Sequence, residues 1–110
     1  MDAADQYNEL TKKMEDALPL KAFPVREIIH IFREKGYPIT LKSELKITSV
    51  HNSGDVSGIM CVVQNSKENV IACALTHLIF SNKSPLFNEI SEYKRKREKR
   101  IKKLNRLGLN

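Results

Sequence analysis

The chain has 110 residues, of which 41% are hydrophobic and 29% charged, and its formal net charge is +6. This composition excludes a disordered chain, and the length suits one domain with one hydrophobic core rather than two. No apolar run reaches the ~18 residues of a membrane-spanning helix, and residues 1–6 lack the basic and apolar regions of a signal peptide. We therefore expect a cytoplasmic protein.

Two helices are predicted in the first third of the chain. Residues 2–18 place apolar side chains at steps of three and four, and Pro19 would end this helix. A second helix is predicted to begin at Pro24, where the missing N–H costs nothing, and to end before Gly36. Residues 18–23 are expected to connect the two helices as a loop.

From Ile39 to Ile47 every second position except Ser43 is apolar, which is typical of a strand. This alternation predicts a half-buried strand from Ile39 to about Val50, followed by a turn at 51–55. The apolar runs 59–63 and 70–75 flank a polar segment and predict a hairpin.

A register with Val63 opposite Ile71 places Cys61 opposite Cys73 in this hairpin. Both faces of the hairpin are apolar, so we expect the sheet to be covered on both sides, by helices or by a second subunit. The two cysteines lack the spacing of a disulfide framework or a zinc site, and His77 does not complete one. Buried, reduced thiols and no metal are expected.

A long helix is predicted at the end of the chain, with Ser84 as its N-cap and Pro85 as its first residue. An apolar stripe from Leu86 to Leu107 continues for about 23 residues, or roughly 35 Å. This length exceeds what a small domain needs, so we expect the second half of the helix to project.

The elements together predict an α+β fold: two N-terminal helices, a three-stranded antiparallel meander and a long basic C-terminal helix. Residues 1–110 would form a single domain, with 94–110 a basic helical extension. A helix-turn-helix with a wing fits less well, because residues 39–50 alternate strictly and leave no second recognition helix.

The positive charge is concentrated in residues 94–106, which carry nine lysines and arginines and one glutamate. This segment therefore has a charge of +8, while the rest of the chain totals −2. Such a block predicts a non-enzymatic protein that contacts nucleic-acid backbone phosphates, or another polyanion, with little sequence preference. The predicted contact residues are Lys94, Arg95, Lys99, Arg100, Lys102, Lys103 and Arg106, with the stem of Arg97 continuing the apolar stripe.

Three alternatives to phosphate binding remain at this point. The chain could be a protein-interaction module or homodimer that uses the apolar sheet face and the 86–107 helix stripe. It could be a small enzyme, such as a nuclease, that uses His51 and Asp55, although we expect no catalytic residue and no cofactor. The basic segment could also be an ordinary solvated surface.

Repulsion between cations four residues apart, such as Arg95 and Lys99, destabilises the second half of the last helix. It predicts that the second half of this helix is frayed at low salt in the free protein. Binding of a polyanion or a second chain would then order it. Deletion of residues 95–110 is expected to leave the fold intact and to abolish polyanion binding.

Overall fold

A computed structural model describes the backbone of residues 3–108 and the side chains of residues 7–108. The nine elements, with a short 3-10 turn at Leu75–His77 before β5, are α1 (Ala3–Ala17), β1 (Leu20–Pro24), α2 (Arg26–Glu34), β2 (Leu45–Asn52), α3 (Gly54–Ser57), β3 (Ile59–Gln64), β4 (Val70–Ala74), β5 (Leu78–Ile79) and α4 (Phe87–Arg106). The strands form one antiparallel sheet in the order β4-β3-β2-β1-β5. The α+β class is confirmed, whereas the prediction of three strands is wrong because the sheet has five.

The two unpredicted strands lie side by side, next to β2 on the side away from β3. β1 occupies the segment that was expected to be a loop between the first two helices, and β5 has only two residues. Pro24 ends β1, paired with Leu78, and the second helix begins at Arg26 instead. A proline is tolerated at a strand end because its missing N–H does not interrupt the hydrogen bonds inside the strand pair.

The predicted first strand begins six residues too early, since β2 starts at Leu45. Ile39 is buried, but Leu41 is 54% exposed and lies in a turn. The turn is stabilised locally, because the backbone N–H of Thr40 donates to Ser43 Oγ at 2.9 Å. The alternation through 39–43 therefore reflects one anchoring isoleucine and a polar turn rather than a strand.

The hairpin register is confirmed, with Cys61 opposite Cys73 and Val63 opposite Ile71. All four of these side chains are buried in a core to which α1, α2 and α4 also contribute. The neighbouring positions on the other face are more open, since Val70 is 38% exposed and Ala72 is also exposed. Within residues 7–108, the helices cover one face of the sheet, and coverage of the other face by a second subunit stays a prediction.

The last helix starts two residues later than predicted. Ser84 lies in the preceding turn, and Leu86 occupies the N-cap position without a side-chain capping bond. The helix spans 20 residues and ends at Arg106, just before Gly108, which has a positive φ of 71°. Residues 109–110 of the predicted basic extension lie outside the described chain. Among the described residues, no helix has the length and apolar character needed to span a membrane.

Candidate nucleic-acid interface

The inner face of α4 is docked on the protein along most of its length. Ile90, Tyr93, Arg97 and Leu104 are all buried, at spacings of three, four and seven residues. The expectation that the second half of the helix projects is therefore wrong. Deletion of residues 95–110 would remove two buried side chains, Arg97 and Leu104, so we now expect that truncation to destabilise the fold.

The outer face of α4 is a line of exposed cations. Arg95, Lys99, Lys102 and Arg106 follow one another at spacings of four, three and four residues, which places them on one side of the helix. Their Cα atoms span about 16 Å at 1.5 Å per residue. Lys103 is also exposed and lies beside this line. We call these five residues the cationic ridge.

Most of the ridge is free of strong ion pairs. Arg95 Nη2 lies 2.7 Å from Glu92 Oε1, and Lys102 Nζ lies 3.8 Å from Glu98 Oε1. Within residues 7–108, Lys99, Lys103 and Arg106 of the ridge make no ion pair. Exposed pairs of this kind contribute little and are screened by salt, so a phosphate could replace either glutamate.

Lys94 is diverted away from the ridge towards the body of the protein. Its Nζ donates to the carbonyl oxygen of Leu78 and lies 5.5 Å from the centre of the Phe80 ring. Burial lowers the pKa of the Lys94 ammonium, because it removes water from the charged form. Lys94 is therefore part of the attachment of α4 to β5 and not an exposed phosphate ligand.

Arg100 is likewise committed to a partner within the chain. Its Nε donates to both carboxylate oxygens of Asp55, at 2.9 and 3.0 Å, and Nη2 donates to Oδ2 as well. The hydrogen bonds from Arg100 lower the pKa of the Asp55 carboxyl, because they favour its charged form. Five of the seven predicted contact residues thus lie on the ridge, and two attach α4 to the body.

Arg97 is the main anchor of the helix, and only 2% of it is exposed. Its Nη1 donates to Tyr7 Oη at 3.2 Å and to the carbonyl oxygen of Asp55, while Nη2 donates to the carbonyl oxygen of Val56. A buried guanidinium is tolerated only where its donors are satisfied. Arg97 therefore ties α4 to α1 and α3, a role beyond the apolar packing predicted for its stem.

Tyr93 adds a second attachment one helical turn earlier. Its hydroxyl accepts a hydrogen bond from the backbone N–H of Ile59 at 2.9 Å, and its ring packs edge-on against Tyr7 with centroids 5.3 Å apart. Gly58 lies under both attachments, with a φ of +72°. A Cβ at Gly58 would lie 2.5 Å from Tyr93 Oη and 2.8 Å from Arg97 Nε, so the close approach requires glycine.

This anchoring cluster was missed by the sequence interpretation, which assigned no role to Gly58. A glycine directly before a buried strand signals a tight backbone conformation or close approach, but it does not identify the partner. A single arginine interrupting an apolar stripe was the other available signal. Neither signal could show that the two features, nearly 40 residues apart, meet in space.

The residues considered for acid–base chemistry lie on different elements. His51 lies on the outer face of β2, paired with Met60, whereas Asp55 lies in α3. The Asp55 carboxylate is held by Arg100 with a lowered pKa, which makes it a weaker base. Its observed contacts give it a structural role.

The two thiols are free and buried at adjacent positions of β3 and β4. Burial raises the pKa of Cys61 to about 12 and that of Cys73 to about 11. His77 is exposed in the 3-10 turn. In the part of the chain that the structure describes, no group of three or more His, Cys, Asp or Glu residues is arranged to hold a metal ion.

No protein-family model, curated protein or solved structure matches this chain. Functional inference therefore rests on the geometry and charge of the chain itself.

Proposed function

We propose that this protein is a non-enzymatic binding protein whose cationic ridge contacts the phosphates of a nucleic-acid backbone. The observation that carries the proposal is the division of α4 into two faces. Arg97 and Leu104 are buried on one face, while the ridge is exposed on the other. The inner contacts hold the helix against the body, which favours a preorganised array of cations over the frayed helix expected from cation repulsion.

The dimensions of the ridge suit a phosphate backbone. Successive phosphates of one duplex strand advance about 3.4 Å along the helix axis, so 16 Å corresponds to about five phosphates. The ridge has five cations, and no aromatic residue lies between them. Asn105, which is also exposed, is the only asparagine or glutamine between Arg95 and Arg106, and such amides read adenine edges. The expected contacts are therefore electrostatic and largely independent of sequence.

The test compares two variants that lose the same charge. The ridge variant carries glutamine in place of Arg95, Lys99, Lys102 and Arg106. The control variant carries glutamine in place of four exposed lysines from other parts of the chain, namely Lys35, Lys46, Lys67 and Lys83. Binding to fluorescent duplex DNA, single-stranded DNA and duplex RNA is measured by anisotropy at low salt.

The ridge variant is expected to bind at least about tenfold more weakly than the unsubstituted protein, and the control variant less than about threefold more weakly. Equal losses in the two variants would show that only net charge matters, and the proposal would then fail. The melting temperature of each variant confirms that it is folded.

A second candidate function, homodimer formation, is favoured by the open face of the sheet. The outward positions of β3 and β4 include Met60, Val62, Val70, Ala72 and Ala74, and none of them is charged. β4 is an edge strand with no charge or proline to block pairing. The 86–107 stripe is mostly unavailable for a partner, because its side chains are largely buried within the chain.

The arrangement we propose is a second copy paired along the β4 edge beside this face. Antiparallel pairing of β4 with itself about Ala72 would place Val70 of each copy opposite Ala74 of the other, so that a larger side chain meets a smaller one. Sedimentation at micromolar concentration is expected to give a dimer that Val70→Lys abolishes and Thr48→Lys, an exposed position on β2, preserves. A monomer for the unsubstituted protein would exclude this candidate.

A further inference from the structure

A second basic site lies on a different part of the molecule, in a groove of about 630 Å³ between α2 and the 40–42 turn. Arg26, His30 and Arg33 line one side at spacings of four and three residues, which puts them on one face of α2. Lys42 contributes from the turn, and no carboxylate lines the groove. Three permanent cations thus converge on a concave surface.

The cations of this groove are not neutralised within the chain. In the region whose side chains are described, Arg26, Arg33 and Lys42 make no ion pair. His30 differs, because its Nε2 lies 2.9 Å from Glu34 Oε1. Three like charges in one groove repel one another, and an anion bound between them would relieve that repulsion.

Local hydrogen bonds position the walls of the groove. Arg33 Nε donates to the carbonyl oxygen of Ile39 at 3.3 Å, which orients the guanidinium and leaves both terminal amino groups for a ligand. The backbone N–H of Lys42 donates to Thr40 Oγ1 at 3.2 Å, and the N–H of Ser43 donates to the carbonyl oxygen of Thr40 at 3.0 Å. The turn that presents Lys42 is therefore held by its own backbone and side chains.

The groove also has an apolar part. Ile29 is 9% exposed at its base, and Leu41 is 54% exposed beside Lys42. A leucine this exposed next to three cations provides a surface for the organic part of an anionic ligand. The combination differs from the cationic ridge, whose cations all lie on a single helix.

We propose that this groove binds a phosphate monoester, with the phosphate held by Arg26, Arg33 and Lys42 and its organic body against Leu41. A phosphate monoester carries about −1.5 to −2 charges at neutral pH, which suits three cations, and an arginine fork can donate two parallel hydrogen bonds to it. The site shares no residue with the ridge. The inference goes beyond the proposed function and can fail or hold independently of it.

The test uses adenosine monophosphate, adenosine and inorganic phosphate as probes, with binding followed by calorimetry at low salt. Adenosine monophosphate is expected to bind at least about tenfold more tightly than adenosine, because the phosphate supplies the charge-assisted hydrogen bonds. It should also bind more tightly than inorganic phosphate, since Leu41 contacts the organic body. The double variant Arg26→Gln/Arg33→Gln is expected to weaken binding at least about tenfold, and Lys42→Gln about threefold or more.

The matched control is Lys46→Gln/Lys67→Gln, which removes the same charge from exposed positions outside the groove and the ridge and should leave binding of adenosine monophosphate within about twofold. A 5′-phosphorylated oligonucleotide and its 5′-hydroxyl counterpart, compared in the four-substitution ridge variant, separate two sources of the monoester. A preference for the 5′-phosphate identifies a strand end, and its absence identifies a free small molecule. The proposal is overturned if adenosine binds as tightly as its monophosphate, or if neither Arg26→Gln/Arg33→Gln nor Lys42→Gln weakens binding.

Discussion

Replacement of Gly58 by alanine tests how α4 is attached to the body. The new Cβ would lie 2.5 Å from Tyr93 Oη and 2.8 Å from Arg97 Nε, both closer than atoms can approach. Both contacted atoms belong to side chains that are themselves buried and hydrogen-bonded, so neither can move away without losing a partner. The substitution therefore acts on both attachments at once.

The expected cost has two parts. Gly58 has a φ of 72° and a ψ of −152°, a conformation that costs an alanine about 1–3 kcal/mol. Displacement of the Tyr93 hydroxyl would leave the backbone N–H of Ile59 unpaired, which costs about 1–3 kcal/mol more. We expect a total loss of about 4 kcal/mol in the free energy of unfolding, a large fraction of the stability of a small domain.

Gly54→Ala provides the matched control. Gly54 has a φ of +88°, but a Cβ there would meet no atom within 4 Å, so this substitution carries only the conformational cost. Urea unfolding of both variants measures the difference, which we expect to be about 2 kcal/mol with unchanged slope. If Gly58→Ala and Gly54→Ala agree within about 0.5 kcal/mol, the tight packing of α4 on Gly58 is refuted.

Three further predictions follow from the anchoring cluster and the core. Arg97→Met should lower the free energy of unfolding by about 2–4 kcal/mol, because the carbonyl oxygens that accept hydrogen bonds from Arg97 lose their donors. An unchanged midpoint of urea unfolding would contradict this. Asp55→Asn should lower the urea midpoint at pH 7. Because the folded-state pKa of Asp55 is lowered, the unsubstituted protein should lose this advantage in stability as the pH falls below about 4. A difference between the two proteins that persists in acid would argue against the Arg100 pair. Cys61 and Cys73 should react with a thiol reagent at pH 8 at least about a hundredfold more slowly in the native protein than in urea. Burial both blocks access of the reagent and lowers the fraction of thiolate. Rapid labelling of the native protein would disprove their burial.

The sequence predicted the parts of the fold that have a strong local signal. The first helix has an amphipathic pattern before Pro19, the hairpin has two continuous apolar runs, and both elements are confirmed together with the register at Cys61 and Cys73. The two additional strands have no such signal. β5 has two residues, and β1 ends in a proline that resembles a helix start, so their existence depends on pairing with distant segments.

The candidate site was predictable in its charge but not in its division between binding and attachment. Composition located the basic segment, and helical spacing indicates which cations share a face. Helical spacing does not show that Lys94 contacts the carbonyl oxygen of Leu78, or that Arg100 binds Asp55, because these contacts link residues that are 16 and 45 positions apart in the sequence. The inner role of Arg97 depends in the same way on the close approach of Gly58.

The central claim is that the ridge binds backbone phosphates as an electrostatic array. The most direct measurement is the dependence of duplex DNA affinity on salt concentration, plotted as log K against log salt, for the unsubstituted protein and for the ridge variant that lacks Arg95, Lys99, Lys102 and Arg106. Each neutralised phosphate contributes a slope of about −0.9, so five ridge cations predict a slope between about −3 and −5, which should fall to about −1 or less in magnitude in the variant. A slope near zero for the unsubstituted protein, or the same steep slope in both proteins, would contradict the assignment of phosphate binding to this face of α4.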